Sequence, residues 1–122
     1  VYYADTGFWT AAHHKIPVLY VIPNNECYGI VAHNFSVLGA GGSMHKSGNY
    51  AGVVLDQIDP VKIAEGYGVE GMHIQEESKI EEAMNYGLKL VESENRPFVL
   101  NVHLPLGLPE GGHPAKPFHL GD

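Results

Sequence analysis

The chain has 122 residues, 44% of them hydrophobic and 17% charged, which suits one ordinary domain with a core and is too apolar for a disordered tail. Seven Lys and Arg against fourteen Asp and Glu give a formal charge of −7 with no basic stripe, so nucleic acid is not an expected partner. The longest apolar run, Ile16 to Pro23, is far short of the ~20 residues of a membrane span; no signal-type segment opens the chain, and the single cysteine, Cys27, excludes an internal disulfide and favours a cytoplasmic location.

In chain order, Val1 to Ala4 reads as a short buried strand and Thr6 to Lys15 as a helix capped by Asp5 or Thr6. Ile16 to Ile22 is a continuous β-branched and aromatic run, the pattern of a parallel strand covered on both faces, and Pro23-Asn24-Asn25 stops it. Ala32 to Gln57 carries Gly39-Ala40-Gly41-Gly42-Ser43 and Ser47-Gly48-Asn49-Tyr50 with weak periodicity, and reads as a long irregular segment with a single helical turn. Asp59-Pro60 starts a helix that Gly66 and Gly68 end. Val69 to Ile74 is a strand.

Glu76 to Glu94 is the strongest helix, with Ile80, Ala83, Met84, Gly87, Leu88 and Val91 forming one apolar face. Phe98 to His103 is the last strand. The alternation predicts an α/β fold: right-handed βαβ units making a parallel sheet with helices on both faces. Residues 1–103 are expected to form the domain and 104–122, rich in Pro and Gly, a tail lying over another surface.

In a parallel sheet, ligands bind where strands end at their carboxyl termini. Pro23-Asn24-Asn25-Glu26-Cys27-Tyr28-Gly29 follows such an end, and an amide oxygen with a backbone carbonyl two residues later are hard ligands of the kind Mg²⁺ takes together with phosphate oxygens and water. Taken alone, Asn24-Asn25 is an ordinary turn. The eight histidines, among them His13-His14, His33, His45, His103, His113 and His119, show no ligand spacing and read as surface or helix-end residues. Cys27 reads as a small loop residue, Gly39 to Met44 as a flexible loop, and Glu76, Glu77, Glu81 and Glu82 as a solvated helix face.

Phe8-Trp9-Thr10-Ala11-Ala12, Ile16-Pro17-Val18 and Asn24-Asn25-Glu26-Cys27-Tyr28-Gly29 resemble, in this order, the second half of the cofactor motif of thiamine-diphosphate enzymes of the benzoylformate decarboxylase and acetolactate synthase family. Ile58 to Val69 resembles the helix that follows, so the likeness runs from Val1 to His103. It implies the thiamine-diphosphate-binding fold, in partial form, and a lyase or carboligase acting on a 2-oxo acid. An oxidoreductase or hydrolase with the same cofactor, or a non-catalytic module without the metal site, are the alternatives.

The resemblance further implies that Asn25 coordinates Mg²⁺ through its side chain and Cys27 through its backbone carbonyl. Tyr28, Gly29 and Ile30 would run beside the cofactor, with Ile30 and Val31 near the substrate. The family's Gly-Asp-Gly aspartate, the other protein ligand, has no match. Asp5 ends a suitable run but stands only 20 positions before Asn25, about seven fewer than the motif requires. Either Asp5 is unrelated and the true ligand lies upstream, or Asp5 is the ligand and residues between it and Gly7 are absent from this sequence; the second is favoured. The glutamate that activates the cofactor belongs to a pyrimidine-binding domain of the same or a neighbouring subunit. The chain alone is therefore expected to be inactive, within a homodimer or homotetramer.

Overall fold

The computed structural model describes residues 4–31, 34, 52–55 and 57–105. Two compact units emerge, one of residues 1–24 and 59–103, the other of residues 25–58 and 104–122. Helix α1 (Thr6–His13), strand β1 (Leu19–Asn24), helix α2 (Pro60–Gly66), strand β2 (Glu70–Ile74), helix α3 (Ile80–Glu94) and strand β3 (Phe98–His103) all belong to the first.

The strands form a parallel sheet in the order β1-β3-β2, with Leu19 beside Phe98 and Glu70 beside the same residue on the other side. Successive strand residues point to opposite faces. Phe98, Leu100 and Val102 of the central strand therefore pack with Ile74, Ala83, Leu90 and Val91 under α3. Val99, from the alternate set, packs with Phe8, Ala64 and Val69 under α1 and α2. The α/β class with helices on both faces is as the sequence predicts. The polar member of the second set, Asn101, is 1% exposed and stands one step closer to the carboxyl end of the sheet.

Several boundaries differ from expectation. Ala4 is a bend rather than strand, because its carbonyl already accepts the N–H of Gly7 at 3.0 Å in the turn that leads into α1; Val1 to Tyr3 lie outside the described residues. Strand β1 begins at Leu19 rather than Ile16 and continues through Pro23, opposite Val102. β3 is its only partner among the described strands, and an edge position tolerates a residue with no N–H to donate. Val21 is 42% exposed, so β1 lacks the complete cover expected of it.

The long helix is preceded by a 3₁₀ turn, Glu77–Lys79. It buries Leu90 rather than Leu88, which is 45% exposed. From Gly87 the next core-facing positions are three and four residues on, at Leu90 and Val91, while Leu88 sits a sixth of a circle or more off that stripe. Helix α2 starts as read: the Asp59 carboxylate accepts the N–H groups of Val61 at 2.9 Å and Lys62 at 3.2 Å, with Pro60 at the first position.

In the second unit, Cys27 bridges Val54 in antiparallel fashion. Val53 is 2% exposed, and residues 29–31 are helical. The Gly39 to Met44 and Ser47 to Tyr50 segments, His33, His45, His113 and His119 lie outside the described residues, as does the chain beyond Pro105.

Candidate functional site

Asn24 closes β1 and is buried, and Asn25, the next residue, is half-buried. Glu26 then takes a left-handed backbone with φ +53°, a conformation that costs a residue with a Cβ about 1–2 kcal/mol. Strain of this kind persists where the surroundings over-determine it, and here two hydrogen bonds do so. Leu55 N–H donates to the Glu26 carbonyl at 2.7 Å, and Tyr28 N–H donates to the Val53 carbonyl at 2.9 Å.

These bonds flank the Cys27–Val54 pair, so Cys27 occupies a non-hydrogen-bonded position of the bridge. Its own N–H and C=O therefore point away from Val54. Tyr28 then accepts the N–H of Val31 at 3.0 Å as the chain turns helical. Gly29 is buried, while Ile30 and Val31 stand 64% and 39% exposed, two large apolar side chains left in solvent directly after the turn.

Asp5 has other duties. One carboxylate oxygen accepts the N–H of Thr6 at 3.1 Å at the start of α1, and the other accepts the Tyr67 hydroxyl at 3.2 Å. That hydroxyl is held above its usual value of 10.0, chiefly by the hydrogen bond to Asp5, then by the carboxylate charge and by burial.

A second polar group stands at the carboxyl ends of β2 and β3, and the histidine reading passed over it. Register places His73 beside Asn101, and His103 lies two residues further along β3 on the same face. The Asn101 amide nitrogen is 3.0 Å from His73 Nδ1 and 3.2 Å from His103 Nε2, and the two ring nitrogens are 3.3 Å apart. His73 Nε2 lies 3.4 Å from an Asp59 oxygen. Burial acts to raise the Asp59 carboxyl, but the Lys62 N–H, the His73 ring, the Val61 N–H and the Lys62 ammonium outweigh it and hold the group below 3.8.

The only sequence signal was a histidine near the end of each of two apolar strands; pairing across the sheet brings them together. No three His, Cys, Asp or Glu side chains gather for a metal among the described residues. A cleft of about 520 Å³ lined by His73, Glu76, Lys79 and Tyr86, among others, includes none of the expected cofactor residues.

The profile of the family described as "Thiamine pyrophosphate enzyme, C-terminal TPP binding domain" matches residues 5–102. The chain belongs to this family. Thiamine pyrophosphate is thiamine diphosphate by its other name, so the resemblance read from residues 8–29 holds. Benzoylformate decarboxylase of Pseudomonas aeruginosa is 28% identical over 100 residues, covering 82% of this chain and 17% of that protein. The thiamine diphosphate-dependent 4-hydroxybenzoylformate decarboxylase of Rhodococcus jostii RHA1 superposes with a TM-score of 0.64 at 29% identity, over 86% of this chain and 18% of that one. A benzoylformate decarboxylase from Polynucleobacter necessarius shares the fold, with a TM-score of 0.63 at 24% identity over 86% of this chain and 17% of the other. The chain spans less than a fifth of the length of each. Among its described residues, no helix is long and apolar enough to cross a membrane.

Proposed function

We propose that this chain is the diphosphate- and Mg²⁺-binding part of a thiamine-diphosphate-dependent 2-oxo acid decarboxylase or carboligase. The observation that carries the reading is the turn after β1, where half-buried Asn25 and the Cys27 carbonyl, directed away from its bridge partner, are two neutral oxygen donors. Such a pair suits a hard divalent cation whose remaining ligands are anionic phosphate oxygens and water. Asn25 and Cys27 would hold the ion, and Tyr28, Gly29 and Ile30 would flank the cofactor.

When bound, thiamine diphosphate supplies the carbanion-stabilising centre for breaking or making the bond next to a 2-oxo carbonyl. The chain's own share is positioning: the Val53–Tyr28 and Glu26–Leu55 hydrogen bonds keep the turn in its strained form before any ligand arrives. Exposed Ile30 and Val31 would cover the apolar part of a substrate and keep water from it.

The activating glutamate is proposed to come from a pyrimidine-binding domain of the same polypeptide or a neighbouring subunit, in a cytoplasmic homodimer or homotetramer. Residues 1–103 would then serve as the cofactor domain, with 104–122 as its tail.

Asp5 remains a proposed third ligand only if it releases the donors it now accepts. That engagement favours a second reading, a module of the same fold without a working metal site.

Calorimetry on the full protein with thiamine diphosphate, with and without Mg²⁺, separates the two. Mg²⁺-dependent cofactor binding that Asn25→Ala weakens at least about tenfold is expected, since a metal ligand is lost. Cofactor binding indifferent to Mg²⁺, or no binding, would overturn the enzyme reading.

A further inference from the structure

We propose that His73 Nδ1 and His103 Nε2, with the Asn101 amide oxygen, form a site for a borderline divalent transition-metal ion such as Zn²⁺ or Co²⁺. The site lies at the carboxyl ends of β2 and β3 and within one compact unit. It does not depend on the thiamine-diphosphate reading.

Three distances carry the proposal. The two ring nitrogens and the amide's outer atom form a triangle with sides of 3.0, 3.2 and 3.3 Å. For metal–nitrogen bonds of about 2.0–2.1 Å, donors at right angles stand about 2.9 Å apart and donors at the tetrahedral angle about 3.4 Å apart. The triangle lies between these limits, so one ion above its centre reaches all three corners.

Protonation favours the same arrangement. The Asp59 carboxylate beside His73 Nε2 draws that ring's hydrogen to Nε2 and leaves a lone pair on Nδ1, facing the triangle. The Asn101 amide nitrogen has two hydrogens, one for each facing ring nitrogen, which makes both rings acceptors towards the same point. This is the state without metal.

Asn101 itself is 1% exposed, and its Oδ1 is a buried side-chain oxygen with no hydrogen-bond partner among the described residues. A buried polar atom left without a partner calls for an explanation. Half a turn of the amide brings this oxygen into the triangle and removes the two competing hydrogens. The turn gives up the two amide bonds to the ring nitrogens, and bonds from all three donors to the ion replace them. Two imidazoles and one amide oxygen select a borderline ion over Mg²⁺, which prefers an all-oxygen shell. The His73 side chain is 38% exposed, which gives the ion a path from solvent.

The test is a Co²⁺ titration of the full protein in Mg²⁺-containing buffer, followed by calorimetry and by visible absorption for nitrogen-ligated Co²⁺. One equivalent is expected to bind saturably, and His73→Ala and His103→Ala should each weaken it at least about tenfold. Asp59→Asn, which keeps a good helix cap but loses the charge behind His73, should weaken it about tenfold. Circular dichroism checks that each variant is folded, and His103→Gln replaces any variant that is not. Binding that survives both His73→Ala and His103→Ala belongs to other histidines and overturns the proposal, as does the absence of saturable binding.

Discussion

Lys15 and Gly68 hold the same place in two helix endings of the same kind. After α1, Ile16 N–H donates to the Ala11 carbonyl at 2.9 Å and Lys15 N–H to Ala12 at 3.3 Å. After α2, Val69 donates to Ala64 at 2.9 Å and Gly68 to Glu65 at 2.9 Å. Both are Schellman endings, whose next residue beyond the cap must be left-handed. Gly68 meets this at φ +83° with no Cβ to strain, whereas Lys15 meets it at φ +51° with a full side chain. Lys15→Gly relieves ~1–2 kcal/mol of strain and loses ~0.4–1 kcal/mol through the greater freedom of the unfolded chain. A net gain of about 0.5–1 kcal/mol is expected as a higher urea midpoint with unchanged slope; a lower midpoint would contradict the account.

At the scale of elements, two glycines mark close approaches of unequal rigidity. A Cβ on Gly71 of β2 would stand 2.8 Å from the Val99 backbone oxygen and 3.0 Å from the Val99 Cβ, neither of which can yield without moving the sheet. A Cβ on Gly87 of α3 would meet the tip of Leu19, its Cδ1 at 2.7 Å, which can rotate. Gly71→Ala should therefore destabilise by about 1–3 kcal/mol. Gly87→Ala should cost clearly less, because better helix propensity offsets about 1 kcal/mol of the displacement. Thermal melts of the two variants give the order, and a larger loss at Gly87 would refute it. The same packing explains the slip over Leu88: periodicity outlines a stripe, but the strand beneath decides which of its flanking residues are buried.

At the scale of the molecule, Asp5 and Tyr67 tie the start of α1 to the turn after α2, residues 62 positions apart in sequence. The Tyr67 hydroxyl is raised above 10.0 by this contact, so the folded state favours its protonated form. The stability contributed is present below the unfolded value and is lost as pH rises through the folded one. Melting temperatures followed from about pH 8 to about pH 11 should fall more steeply for the parent than for Tyr67→Phe; parallel curves would remove the contact from the account. The chain by itself determined the α/β class, the capped start of α2, the strand Phe98–His103 and, through ordered motifs around Trp9, Pro17 and Asn25, the cofactor family. These are local signals: hydrophobic period, capping chemistry and short spacings written into neighbouring residues. Only the tertiary structure decided that Asp5 accepts from Tyr67, that the Cys27 carbonyl turns away from Val54, and that His73, Asn101 and His103 share one point. Each depends on which strand, helix or loop lies beside which, and residues 27 or more positions apart meet only when the fold brings them together.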